Sequence, residues 1–162
     1  MKKSLEEKQF ELSLQVLKQF RLVYGSAKRH FKQVEKNCGV SGSQLWLLQE
    51  IVKSPGIGVT ELSKLLSIHL STCSILVNKL MMKKLIVKVR GNSDQRRVGL
   101  QATAAGTKAL AKAPGPAEGV LPVALQELSE AELKRLHACM GQVIKKLQLL
   151  DEKSAEQPLA DI

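Results

Sequence analysis

Two short helical segments followed by two β-rich segments constrain the fold of this chain most strongly. Residues 61–67 and 70–84 have the apolar spacing of helices and meet in a tight turn at 67–69. Residues 85–90 and 97–102 are β-rich and flank a polar turn, which predicts a β-hairpin. Helix, turn, helix and hairpin in this order predict a winged helix-turn-helix, whose second helix enters the DNA major groove.

The rest of the sequence is helical in pattern. Helices are predicted over 4–37, 44–53, 103–112, 120–128 and 130–151, with Thr60 as the cap of helix 61–67. The first helix is apolar on two faces, so it needs cover from its own domain and from a partner. The expected fold class is mainly α with a small β-hairpin wing and with N- and C-terminal dimerisation helices.

Four segments follow from this pattern. Residues 1–40 form an N-terminal helix that contributes to dimerisation, and residues 41–106 form the winged helix-turn-helix domain. Residues 107–152 hold the C-terminal dimerisation helices, interrupted near Pro114 and Pro116. The tail, residues 153–162, is expected to be frayed.

The predicted recognition helix, 70–84, has two faces. Cys73, Leu76, Val77 and Leu80 recur at core spacing. The outward residues suit contacts with bases and phosphates, through hydroxyls, an amide, an ammonium group and an isoleucine that can touch a thymine methyl. These candidates are Ser71, Thr72, Ser74, Ile75, Asn78 and Lys79, and Lys83 shares their face.

The hairpin supplies the second group of DNA-binding candidates. Arg90 lies at its base, and Asp94, Arg96 and Arg97 lie at its tip. Arginine on a β-tip can enter the narrow minor groove, where the negative potential is concentrated. Asp94 is expected to pair with Arg96 and to orient its guanidinium.

Net charge agrees with a polyanionic partner. The chain of 162 residues carries +10, and the excess lies in the first two-thirds, since residues 104–162 sum to −1. No apolar run is long enough for a membrane span and no secretory signal is present, so a cytoplasmic location without membrane contact is expected. The three cysteines, Cys38, Cys73 and Cys139, have no CxxC spacing, which favours reduced thiols over disulfides or zinc.

No catalytic motif, phosphate-binding loop or metal-ligand cluster is found, so we expect no enzyme activity, no cofactor and no metal. An enzyme is therefore the weakest of the function classes considered.

Four stretches resemble the MarR family of bacterial transcriptional regulators. The segment that runs from Asp94 to Gly106 is similar to the family's wing signature, DxRxxxLxLTxxG. Residues 60–66 resemble its "ELAxxL" helix, and residues 71–80 resemble its recognition helix, which Lys84-Leu85-Ile86 follows in the manner of "KGLV". His69 and Asn78 depart from the family pattern, which often has Asp at both places.

The resemblance implies a homodimer on a pseudo-palindromic operator of double-stranded DNA. It also implies a sequence-specific transcriptional regulator, a repressor released by a small phenolic or anionic effector, for which His30 and Trp46 are candidate pocket residues. The alternative is a helical dimeric interaction protein or an architectural DNA-binding protein without ligand response.

Overall fold

Seven helices and a two-stranded hairpin make up the part of the chain that this computed structural model describes, residues 4–90, 98–147, 156–158 and 160. The elements are α1 (Leu5–Cys38), α2 (Gly42–Lys53), α3 (Val59–Leu65), α4 (Leu70–Met82), β1 (Ile86–Arg90), β2 (Val98–Ala102), α5 (Ala104–Leu110), α6 (Val120–Gln126) and α7 (Glu130–Leu147). The predicted mainly α fold with a small β-hairpin is confirmed, and the helix boundaries differ from the predicted ones by a few residues.

Helices α1 and α2 each begin at a capping box. The Ser4 hydroxyl accepts a hydrogen bond from the Glu7 N–H at 3.1 Å, and the Ser41 hydroxyl accepts one from the Gln44 N–H at 3.3 Å. Helix α1 ends before Gly39, which has a left-handed φ of 69°, a conformation that glycine adopts readily at this position. The Gly39 N–H donates a hydrogen bond to the Glu35 carbonyl in the last turn. Local sequence therefore defines both ends of α1.

The predicted cap of α3 is wrong. Gly58, with an extended φ of −80° and ψ of 154°, precedes the helix, and Thr60 already lies in the first turn. There the carbonyl of Thr60 accepts the Ser63 hydroxyl at 2.9 Å. The turn into α4 passes through Ser67 at φ 51°, and the Ile68 N–H donates to the Ser63 carbonyl at 3.1 Å. This tight connection brings α4 across α3.

Strands β1 and β2 pair antiparallel, with Ile86 opposite Ala102 and Arg90 opposite Val98. Ile57 forms a single antiparallel bridge with Leu100 of β2. The Leu100 N–H donates to the Ile57 carbonyl at 3.0 Å, and the Leu100 carbonyl accepts the Gly56 N–H at 2.8 Å. The hairpin is thus tied to the loop that precedes α3.

One core holds α2, α3, α4 and the hairpin together. Its fully buried side chains are Val34, Val40, Leu45, Leu47, Leu48, Ile51, Leu62, Cys73, Val77, Leu80, Ile86 and Leu100. Only the last third of α1 reaches this core, and no residue of Glu130–Leu147 is buried. The outer two-thirds of α1 and all of α7 therefore project from the winged domain.

Two predictions concern the C-terminal third of the chain: the proline interruption and the tail. The proline-containing stretch 111–119 separates α5 from α6, as expected. Of the tail predicted to be frayed, 153–162, the structure describes residues 156–158 and 160. Pro158 is buried, and the Glu156 carbonyl accepts the His69 N–H at 3.2 Å. These described residues thus contact the domain through an apolar side chain and a backbone group.

Within the described residues, no single helix has the length and apolarity to cross a membrane. Helices α3 and α4 are long and apolar enough only when they are taken together, and the chain bends by 113° between them.

Candidate nucleic-acid interface

Helix α4 separates its buried residues from its outward residues, as predicted. Cys73, Leu76, Val77 and Leu80 are buried in the core. On the other side, Ser71, Ile75, Asn78 and Lys79 are exposed, and Thr72 and Ser74 are half-buried. We call these six outward residues the reader face. Ile75 keeps 55% of its surface exposed, which is available for apolar contact with a base.

The start of α4 is organised by His69. Its Nδ1 accepts a hydrogen bond from the Ser71 N–H at 3.3 Å and lies 2.7 Å from the Ser71 hydroxyl oxygen. Histidine thus performs the capping that a side-chain oxygen usually provides. The Ser74 hydroxyl donates back to the Leu70 carbonyl at 2.9 Å, so its oxygen can serve a ligand only as an acceptor.

Lys83 does not belong to the reader face. Its Nζ donates to the Gly39 carbonyl at 2.6 Å and lies 3.4 Å from the Gln44 side-chain oxygen. The long lysine stem lets the ammonium group turn back to the end of α1 and the start of α2. This cation therefore positions α4 on the domain, a role that helical spacing alone could not reveal.

The described part of the hairpin places one predicted contact. Arg90 is exposed at the end of β1, opposite Val98. Asp94, Arg96 and Arg97 lie outside the described residues, and so does the expected pairing of Asp94 with Arg96.

The charged side chains of residues 62–90 all have the same sign. Residues 62–90, which contain α4 and β1, hold six Lys or Arg residues and no Asp or Glu. A phosphate backbone approaching α4 and β1 thus meets ammonium and guanidinium groups without a carboxylate from this stretch.

A second feature is a groove between α1, α2 and α6. It has a volume of about 180 Å³, and Phe31, Trp46, Leu121, Pro122 and Leu125 are among its lining residues. Trp46 was predicted as a pocket residue, and Phe31 and the α6 residues were missed because their sequence positions are far apart. His30 is buried beside the groove, edge-on to Phe31 with the ring centroids 5.9 Å apart.

Glu118 is the charged residue that lines this groove. Its Oε2 accepts a hydrogen bond from the Gln49 amide at 2.8 Å. Burial alone would raise the pKa of the Glu118 carboxyl, but hydrogen bonds from its own backbone and from Gln49, with the charge of Lys53, outweigh burial and lower it. The groove is thus an apolar site with one carboxylate at its edge.

The cysteines do not gather into a site. Cys73 is buried, Cys38 is half-buried and Cys139 is exposed, all as free thiols. Burial raises the pKa of the Cys73 thiol to about 11, which disfavours the reactive thiolate. Among the described residues, no group of three His, Cys, Asp or Glu side chains is placed to hold a metal ion.

Part of the chain matches the model of a known protein family. Residues 39–97 match the model of the MarR family, in agreement with the resemblance seen in the helix motifs and at the start of the wing motif. Proteins of this family are transcription regulators and not enzymes, in agreement with the sequence analysis. A comparison with curated proteins finds no match.

Three solved structures are similar to this chain. The S. aureus MepR–DNA complex is 22% identical with a TM-score of 0.55, over 79% of this chain and 93% of that one. YusO from Bacillus subtilis is 20% identical with a TM-score of 0.52, over 88% and 99%. The apo form of wild-type MarR from E. coli is 18% identical with a TM-score of 0.51, over 78% and 94%. These similarities establish the winged-helix fold.

Proposed function

We propose, from the match of residues 39–97 to the model of the MarR family, that the chain is a homodimeric, sequence-specific repressor. It reads a pseudo-palindromic operator in double-stranded DNA through α4, with the hairpin on the adjacent minor groove. A small molecule bound near Trp46 releases it. The observation that carries the proposal is the reader face, set in a stretch of 29 residues, 62–90, without a carboxylate side chain.

The reader face has the chemistry for sequence discrimination. Asn78 can form paired hydrogen bonds with adenine, and Ile75 can touch a thymine methyl. Lys79 and Arg90 can contact phosphates, which position the helix without reading sequence. The MepR structure similar to this chain is a complex with DNA, which supports the same use of the fold here.

The homodimer is supported by apolar surface that one chain leaves exposed. In α7, Leu133, Leu136, Met140, Val143 and Leu147 follow alternating steps of three and four residues, which is the spacing of a helix–helix seam. In α1, Phe10, Leu14, Leu17 and Phe20 are also exposed. Apolar surface of this extent marks an interface with another chain. A two-fold axis through these helices sets two α4 helices about one DNA turn apart.

The effector is supported by the groove beside Trp46. An aromatic and aliphatic lining suits a small ring compound. Because Glu118 carries a negative charge at its edge, we expect a neutral phenol to bind better than an anion. Such a ligand releases DNA by favouring one spacing of the two DNA-binding lobes over the other.

The alternative is an architectural DNA-binding or helical interaction protein without ligand response. The exposed α1 and α7 surfaces and the positive charge of the domain are compatible with it. It differs from the repressor in having no preferred DNA sequence.

The test measures duplex binding against salt, with genomic fragments as probes and unrelated duplex in excess. A specific regulator retains selected fragments about a thousandfold or more in preference to unrelated DNA. If the unrelated duplex displaces all of the genomic fragments, and binding falls steeply as the salt concentration rises, the architectural alternative is supported. No duplex binding at low salt overturns the repressor and the architectural DNA-binding protein, and it leaves the helical interaction protein.

A further inference from the structure

Glu156 lies against the N-terminal end of α4. The Glu156 carbonyl accepts the His69 N–H at 3.2 Å, and the Glu156 Oε2 lies 3.9 Å from the His69 Nε2. Both side chains stay more than half exposed, at 59% for Glu156 and 61% for His69. The carboxylate is thus held at the surface beside the first residues of the reader face.

The same segment is fixed at its other end by the groove. Pro158 is buried and lines the groove together with Trp46. Ala160 packs at Gly42, where an added Cβ would lie 3.1 Å from the Ala160 Cβ. Two apolar contacts therefore seat the segment while Glu156 reaches His69.

The charges of the two partners are complementary. Residues 151–162 contain Asp151, Glu152, Glu156 and Asp161 against one lysine, Lys153. Their sum is −3, whereas residues 62–90 carry six cations and no carboxylate. Glu156, the one of these carboxylates that the structure describes, thus lies beside a positive helix and has the sign of the DNA that this helix would bind.

We propose that residues 156–158 and 160 belong to an intramolecular inhibitor whose Glu156 covers the start of α4 in competition with DNA. The proposal rests on the proposed DNA-binding role of α4. Recognition helices contact DNA from their N-terminal residues, and helix N-termini contribute contacts to phosphate. While Glu156 is seated there, its carboxylate repels an approaching phosphate and its backbone occupies the His69 N–H. Operator binding therefore requires the segment to leave.

The fraction of molecules in which the segment is seated determines how much it raises the apparent Kd for DNA. If the segment is seated in about 90% of molecules, the apparent Kd for DNA is about tenfold above that of the open state. Removal of the segment should lower the Kd by that factor.

The experiment compares duplex binding by the full chain with two variants. One lacks residues 155–162, and the other carries Pro158→Asp, which expels the tail from the apolar groove while adding a negative charge. We expect both to bind DNA about three- to tenfold more tightly. Glu127→Gln is the charge control. It removes one negative charge, as the loss of one tail carboxylate does, but at the exposed end of α6, so it should change the Kd for DNA less.

Pro158→Asp distinguishes inhibition by the seated segment from a general repulsion between the tail's negative charge and DNA. If truncation tightens binding but Pro158→Asp weakens it, the tail acts only through its charge and the inhibitor is overturned. Equal Kd values for the full and truncated chains overturn the inhibitor and leave the proposed function intact. If neither chain binds any duplex at low salt, the proposed function itself fails, and the inhibitor fails with it.

Trp46 gives a second readout, because it is the only tryptophan of the chain and shares the groove with Pro158. Duplex should shift the Trp46 emission in the full chain, as Pro158 leaves the groove. The truncated chain should bind duplex without that shift. The same shift in both chains contradicts release of the segment.

Discussion

The backbone of Gly106 packs directly on the carbonyl oxygen of Leu85. A Cβ at residue 106 would overlap this oxygen and lie 3.2 Å from the Leu48 Cδ1. Around the contact, the Thr103 N–H donates to the Leu85 carbonyl at 3.0 Å, and the Gly106 N–H donates to the Thr103 hydroxyl at 3.1 Å. The first turn of α5 is thus locked to the chain between α4 and the hairpin.

Gly106→Ala should therefore destabilise the fold. Because the neighbour is backbone, α5 or the start of the hairpin has to shift, and we expect a loss of about 1–3 kcal/mol in the free energy of unfolding. Urea unfolding at a fixed protomer concentration measures it. The matched control is Gly25→Ala in α1, where a Cβ meets no atom within 4 Å and helix propensity should add about 0.5–1 kcal/mol. Equal stabilities of the two variants would contradict this packing.

The sequence predicted those features that depend on local pattern. Helical spacing identified the buried side of α4, since Leu76 and Leu80 must share one face. Turn and β-rich segments identified the hairpin. The cap of α3 was misassigned because Thr60 has a capping side chain, whereas Gly58 has the required backbone conformation.

Long-range contacts were beyond sequence reasoning. Lys83 looked like an outward cation until the fold brought Gly39 within 2.6 Å of its Nζ. Trp46 was a candidate pocket residue, but Phe31 and Leu125 join it only when α1 and α6 pack together. The seated tail has no periodic pattern at all, so only its burial reveals it.

Two adjacent reader residues should have separable effects on DNA binding. Asn78→Ala should change which base pair is preferred at one operator position, by about 1–3 kcal/mol. Lys79→Ala should weaken binding to all duplexes alike and reduce the salt slope by about one ion. Affinity for a panel of single-base operator variants, measured at several salt concentrations, distinguishes the two.

Lys134→Ala is the charge-matched control for Lys79→Ala, because Lys134 lies on α7 in an ion pair with Glu130 at 2.6 Å. It should leave the salt slope unchanged. If Asn78→Ala leaves the base preference flat, Asn78 contacts only phosphate or solvent.

Cys73 should be protected from alkylation in the native protein. Its side chain is fully buried, and its Sγ lies 3.6 Å from the Val59 carbonyl oxygen. With a pKa of about 11, only about 0.1% of the thiol is ionised at pH 8. Mass spectrometry should show Cys73 labelled at least about a hundredfold more slowly in buffer than in urea. Equal rates would mean that α4 opens readily.

The same pKa predicts a loss of stability at high pH. An unfolded thiol titrates near its ordinary value of 9.0, whereas native Cys73 titrates at about 11. Unfolding thus releases a proton between these values, so the stabilisation is complete below pH 9 and is lost as the pH rises towards 11. Cys73→Ala should lack this part of the pH dependence in urea titrations.

Helix α7 should control the oligomeric state. Leu136 lies in the middle of the exposed apolar stripe of α7, between Leu133 and Met140, so a charge there must be buried if this stripe is an interface. Leu136→Glu should shift the dimer to monomer in sedimentation equilibrium. Operator binding should fall about a hundredfold or more, because the second α4 no longer binds the same DNA molecule as the first. Gln142→Glu adds the same charge on α7 outside the stripe and should leave both properties unchanged. If Leu136→Glu stays dimeric, α7 is not the seam, and a wild-type chain that is monomeric at all concentrations would contradict the homodimer itself.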